Sequence, residues 1–209
     1  MRREDAIIKV CGMTLSENIH EVEALGVDLM GFIFYEKSPR CSRKVPSYLP
    51  QKIGRVGVFV DSTLEEIRAK DQDYGFSHIQ LHGKESPELC RQIRALGKKV
   101  IKALSIETRK DLAAADCYQD CCDYLLFDTK TPKVGGSGNR FDWSILDGYK
   151  GNVRFLLSGG IAPESVDEIL SFTHPRLAGY DLNSRFESEP GVKDASRLES
   201  FIRQLKERL

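Results

Sequence analysis

Several side chains able to move protons or hold anions stand directly after apolar runs. Cys11 lies in Lys9-Val10-Cys11-Gly12. A helix beginning just beyond it, together with nearby cations, favours thiolate over thiol, which suits a base or a nucleophile. The competing reading is a small buried apolar residue, the usual role of a free cysteine. Asp128 follows Leu125-Leu126-Phe127. A carboxylate ending an apolar strand is costly unless it is paired or functional, and partial desolvation raises its pKa toward that of a proton donor. His82, in Gln80-Leu81-His82-Gly83, is either a substrate contact or a satisfied structural histidine. Lys37 and Arg40 flank Ser38-Pro39. A guanidinium fixed there suits a carboxylate, and a solvated basic loop is the alternative.

Anion chemistry has its own candidates. Gly135-Gly136-Ser137-Gly138 lies in the loop after the sixth apolar run, and Ser158-Gly159-Gly160 and Asp181-Leu182-Asn183-Ser184-Arg185 end the seventh and eighth. Glycines let backbone N–H groups close around a phosphate, although they also serve tight turns. Gly136, Ser137, Gly138, Gly159, Gly160, Asn183, Ser184 and Arg185 are the phosphate-binding candidates. Arg40, His82 and Asp181 are the candidates for other substrate contacts.

The elements that must position these groups repeat along the chain. Strand-like runs begin near Ile7, Leu29, Arg55, His78, Lys99, Tyr124, Val153 and Leu177. The spacing leaves room for a helix after each. Thr14 with Glu17, and Ser62 with Glu65, read as capping boxes. Gly26 ends a helix whose inner face carries Ile19, Val22 and Leu25. Ser86-Pro87 opens another, with Leu89, Ile93 and Leu96 facing inward and Gly97 after it. Thr108 and Pro163 open later helices, and Leu198, Phe201, Ile202 and Leu205 form the last apolar stripe. Between Cys41 and Lys52 two prolines predict a short or irregular helix. Eight such units imply one α/β domain over residues 1–209, a closed (β/α)₈ barrel, with a doubly wound open sheet as the runner-up. In a barrel the reactive residues belong at the C-terminal strand ends, where the candidates stand.

Bulk properties narrow the classes. Lys plus Arg balances Asp plus Glu at 31 each, so there is no chain-wide field for nucleic acid. No run approaches a membrane span, and the first apolar run is too short for a signal segment, so a cytoplasmic protein is expected. Of six cysteines, the Cys117, Cys121 and Cys122 group has no CxxC pair and no His at ligand spacing. Reduced thiols without a metal are the reading.

Taken together the segments resemble phosphoribosylanthranilate isomerases. The matching pieces are Lys9-Val10-Cys11-Gly12-Met13-Thr14, Gly31-Phe32-Ile33-Phe34-Tyr35 with Ser38 and Arg40, and Val56-Gly57-Val58-Phe59-Val60. Gln80-Leu81-His82-Gly83, Asp128-Thr129-Lys130 and Gly135-Gly136-Ser137-Gly138 with Phe141-Asp142-Trp143 follow. Leu157-Ser158-Gly159-Gly160 and Pro190-Gly191-Val192-Lys193-Asp194 complete the set, which spans nearly the whole chain. The resemblance implies an Amadori rearrangement of N-(5′-phosphoribosyl)anthranilate in tryptophan biosynthesis, with no cofactor and no metal. It implies Asp128 as general acid, Cys11 as general base and Arg40 as the anthranilate-carboxylate contact. Such a pair should have pKa values pushed apart, Cys11 down and Asp128 up.

One stretch departs from the family pattern. Where the family runs roughly Asp-Val-Ser-Ser-Gly-Val-Glu, this chain has Asp181-Leu182-Asn183-Ser184-Arg185-Phe186-Glu187. Arg185 replaces the glycine at the phosphate. Either its side chain takes the phosphate, or Asn183 and Ser184 do. Rival readings fit less well. A histidine-pathway sugar isomerase needs an Asp where Cys11 stands, and an indole-glycerol-phosphate synthase needs a catalytic strand-end lysine. A non-catalytic phosphate-binding barrel has no use for both Cys11 and Asp128, and a flavin barrel would be coloured. The partner expected is a small phosphorylated molecule, and the chain itself a monomer or homodimer.

Overall fold

The computed structural model describes residues 6–129 and 143–208. Eight parallel strands close into a barrel in chain order. They are β1 (Ile7–Cys11), β2 (Leu29–Ile33), β3 (Gly54–Phe59), β4 (His78–Leu81), β5 (Lys99–Ile106), β6 (Tyr124–Thr129), β7 (Arg154–Ser158) and β8 (Leu177–Leu182). All eight begin within one residue of the positions expected from sequence. The open-sheet alternative fails because β1 pairs with β8 as well as with β2.

Strands covered on both faces must be apolar on both, hence their unbroken hydrophobic runs. Alternate residues serve two cores. Val56, Val58, Leu126, Leu156 and Ala178 fill the barrel with Cys11, whereas Ile8, Val10, Phe32, Leu125 and Phe127 pack outward. The closing seam depends on one glycine. A Cβ on Gly179 would stand 1.9 Å from the carbonyl oxygen of Ile7, so only glycine lets β8 approach β1 this closely.

Helices α1 (Ser16–Ala24), α2 (Leu64–Tyr74) and α3 (Pro87–Ala95) cover the first half. Gly26 and Gly97 follow α1 and α3 with φ of +71° and +77°, as their helix-ending roles require. Ser86 caps α3 by accepting the Leu89 N–H. Two expected boxes do not form. The Thr14 hydroxyl donates instead to the Gly191 carbonyl, leaving Leu15 at the start of α1. The second box lies one residue later, between Thr63 and Glu66. Leu96 is exposed, and Cys90 takes the inward place beside Ile93.

Between β2 and β3 no helix forms, since Pro46 and Pro50 interrupt the segment. The later connectors are largely 3₁₀ turns, at Arg109–Tyr118, Trp143–Gly148, Pro163–Ser165 and Ser184–Phe186. A single short helix, α4 (Val166–Ser171), follows the third of these, and a small antiparallel pair, β9 (Glu187–Glu189) and β10 (Val192–Lys193), precedes α5 (Ala195–Arg208). Leu198, Phe201, Ile202 and Leu205 are the buried face of α5, as the periodicity requires. Among the described residues no helix is long and apolar enough to cross a membrane.

Candidate active site

Cys11 ends β1 and turns into the barrel, with 3% of its surface exposed. Its register partner on β2 is Gly31. A Cβ there would lie 2.7 Å from the Cys11 sulfur and 3.3 Å from Lys9 Nζ, so the missing side chain is what houses the thiol. Lys9, two residues earlier on the same face, is fully buried and donates to Asp181 Oδ1 at 2.7 Å across the seam. Burial opposes the Lys9 charge, yet Asp181 and Cys11 outweigh it and hold the ammonium above its ordinary pKa. Ser158 Oγ donates to the other Asp181 oxygen at 3.4 Å.

The thiol pKa moves against expectation. Burial pushes Cys11 up, and the Asp181 carboxylate adds to that, while Lys9 and Lys193 pull it down without prevailing. The helix-dipole argument fails for a plain reason: Gly12 to Leu15 separate Cys11 from α1, and the thiol faces the barrel interior.

Asp128, near the end of β6, is 28% exposed, and His82 Nε2 lies 3.4 Å from its Oδ2. On its other side the imidazole has Gln80 Nε2 at 3.3 Å from Nδ1. Gln80 is buried on β4, and its Oε1 has no hydrogen-bond partner among the described residues. A cavity of about 320 Å³ opens at this mouth and is lined by Cys11, Gln80, His82, Asp128, Gly159, Gly160, Asp181, Asn183, Ser184 and Arg185, among others. A cavity of comparable size at the barrel floor, about 360 Å³ and bordered by Tyr149 and His174, holds none of these groups.

At the phosphate candidates, Gly159 and Gly160 have φ of +85° and +70°, the left-handed region that favours glycine. A Cβ on Gly160 would meet nothing within 4 Å, so the space beside it is open to a ligand. Arg185 is exposed on the 3₁₀ turn after β8 and lines the cavity. Gly136, Ser137 and Gly138 lie outside the described residues.

Arg40 is engaged with a protein carboxylate. Its Nε and Nη2 form a fork on Glu187, at 2.9 Å to Oε1 and 2.7 Å to Oε2. Lys193, buried on β10, bonds the same carboxylate and the Asn183 side chain. The fork raises the Arg40 pKa further, and Glu187, despite burial, is held low by Arg40 and Lys193. Burial lowers the pKa of Lys193 itself. Arg40 reaches the mouth over Gly12, where a Cβ would come within 2.9 Å of its Cδ, but it does not line the cavity.

Sequence reasoning missed Gln80, Glu187 and Lys193. For the last two a signal existed. Pro190-Gly191 is a turn dipeptide, and the hairpin it makes pairs Lys193 with Glu187.

The N-(5′-phosphoribosyl)anthranilate (PRA) isomerase family model matches residues 8–204. An N-(5′-phosphoribosyl)anthranilate isomerase of Phocaeicola vulgatus is 50% identical over 97% of this chain and 99% of its own. The solved phosphoribosyl anthranilate isomerase of Thermotoga maritima is 35% identical, with a TM-score of 0.80 over 97% of this chain and 99% of that one. A structure of such an isomerase in complex with reduced 1-(o-carboxyphenylamino)-1-deoxyribulose 5-phosphate aligns over the same shares, at 32% identity and a TM-score of 0.78. The cavity with Cys11 and Asp128 on its wall therefore lies in a member of a known enzyme family: this chain belongs to the N-(5′-phosphoribosyl)anthranilate isomerases.

Proposed function

We propose that this chain, as one barrel domain, converts N-(5′-phosphoribosyl)anthranilate into 1-(2-carboxyphenylamino)-1-deoxyribulose 5-phosphate, with Asp128 and Cys11 as its acid and base. The carrying observation is that these two side chains, from β6 and β1, line one cavity. Asp128 gives a proton to the furanose ring oxygen, and the ring opens to a Schiff base. Cys11, as thiolate, takes the C2′ proton, and the enolamine that results tautomerises to the ketone. His82 is the group that orients the Asp128 carboxyl. Lys9, held by Asp181, supplies the positive charge that favours the thiolate at the moment of proton removal.

The phosphate sits at the loops after β7 and β8, where Gly159 and Gly160 allow close approach and Arg185 brings a guanidinium. Asn183 is held by Lys193, which makes it a support for that loop. Glu187 occupies one edge of Arg40, and a guanidinium has five donors, so its remaining N–H groups are those offered to the anthranilate carboxylate. A cytoplasmic setting fits a small phosphorylated substrate, with the chain acting as monomer or homodimer.

The test generates phosphoribosylanthranilate in situ from anthranilate and phosphoribosyl pyrophosphate, adds the purified chain, and follows the fall in substrate fluorescence. Wild type should give a fast fall, and Cys11→Ser and Asp128→Asn should each lose about 10²–10⁴-fold in rate. Arg185→Ala should raise KM at nearly constant kcat. Near wild-type turnover in either of the first two variants overturns the assignment of roles.

A further inference from the structure

We infer that Cys90, Cys121 and Cys122 form a three-thiolate site for a soft divalent cation of the zinc group, apart from the active site. Cys90 lies on the inner face of α3, and Cys121 and Cys122 directly precede β6, at the opposite end of that strand from Asp128. The fold brings their sulfurs within 4.8 Å of one another. Sulfurs sharing one zinc at about 2.3 Å would stand about 3.8 Å apart, so closing on an ion takes a shift of no more than about 1 Å in side chains.

The surroundings select the ion. Every ligand atom in the group is sulfur, which favours soft cations over calcium or magnesium. All three cysteines are free, and their exposures of 0%, 0% and 7% put the approach beside Cys122. One divalent ion on three thiolates carries a net charge of −1. Of the buried charges that act on Cys90, the Lys102 ammonium favours this charge and the Glu85 carboxylate opposes it, so the thiolates must be stabilised chiefly by the ion they bind. Lys102 is itself held by Glu85 at 2.9 Å and by the Gly83 carbonyl at 2.7 Å. Binding exchanges thiol protons for the ion, released to solvent, with no electron transferred. Sequence spacing hides the site because Cys90 comes from a different β/α unit.

The reduced, metal-free full chain is titrated with cadmium, and the thiolate-to-metal charge-transfer absorption is read. Saturation at one ion per chain, with the intensity of three thiolates, is expected. Zinc, added alone, should bind the same site and raise the Tm, as any ligand of the native state does, and cadmium should displace it. Cys90→Ser and Cys122→Ser should each remove about a third of the absorption and weaken binding by about tenfold or more, since even outer-shell losses around a metal cost that much. Cys41→Ser and Cys117→Ser should leave both unchanged. No saturable absorption in wild type overturns the site. So does a stoichiometric ion that is lost in Cys11→Ser and kept in Cys90→Ser, which would place it in the active site. Should Cys90→Ser fail to fold, Cys121→Ser and the thiolate count in wild type decide the matter. None of these readings uses isomerase turnover.

Discussion

The two ends of the barrel use polar side chains in opposite ways. At the floor they tie off backbone. Asp28, just before β2, accepts the Ile8 N–H at 2.8 Å, and Asp123, just before β6, accepts the Val100 N–H at 2.8 Å. Arg55 caps the carbonyls of Pro50 and Tyr74. Around Cys11 at the mouth, charged side chains bind mainly one another: Lys9 with Asp181, and Arg40 and Lys193 with Glu187. The floor is thus built so that strands begin in register, and the mouth so that charges stand around a thiol. Damage to the first should register as stability alone, and damage to the second as lost chemistry even where the fold is restored.

The sharpest way to separate them is Asp181→Ala, which leaves the Lys9 ammonium buried without a partner. Such a loss costs about 3–5 kcal/mol, enough to unfold many domains, and urea denaturation would show it. Replacing both partners, Lys9→Met with Asp181→Leu, should restore the fold and leave turnover absent, because a buried ion pair can often be exchanged for apolar residues at little cost. Active double-variant enzyme would break the distinction between the two ends.

Next in size is a pH effect from the floor. His78, at the start of β4, has its pKa lowered to about 4 by burial, with Lys99 adding to it. A histidine kept neutral in the fold, with an unfolded value near 6.5, leaves stability whole above pH 6.5. That stability drains as pH falls toward 4, by about 2–3 kcal/mol. His78→Gln should flatten this slope relative to wild type while kcat at neutral pH stays put. Parallel slopes in the two proteins would refute it.

Gly31→Ala drives a methyl into the Cys11 sulfur, an overpacking worth about 1–3 kcal/mol. Its stability loss should come with a fall in kcat, which sets it apart from any floor variant of equal cost. Smallest is Asp28→Ala, which orphans the Ile8 N–H and should cost about 1–3 kcal/mol with kcat/KM unchanged. A large kinetic loss from Asp28→Ala would mean that the floor controls the mouth directly.

Much of this arrangement is written locally in the sequence. The strands announce themselves by apolar runs, and Ser86-Pro87, Gly26 and Gly97 mark helix ends because capping is decided within one turn. Thr14 misleads because its hydroxyl has a better partner on Gly191, far along the chain. The positions of Cys11 and Asp128 at strand ends are legible for the same local reason. What surrounds them is not. Glu187 claims Arg40 over 147 residues of separation, and the raised thiol pKa of Cys11 follows from burial that no window around it reveals. Charge pairing at the mouth depends on closure, which a linear pattern encodes only as a whole.

The Lys9–Asp181 pair spans 172 residues and crosses the seam where Ile7 lies against Gly179. During synthesis Lys9 therefore leaves the ribosome long before its counterion exists. At about 5–20 residues per second, roughly 10–30 s pass between the two. Through that interval the Cys11 thiol has no barrel interior to enter and no ammonium locked beside it, because the partner that locks it has yet to be made. On the proposed roles the chemistry therefore awaits completion of the chain: an unfinished polypeptide carries the cysteine but lacks both the cavity and the Lys9–Asp181 pair around it.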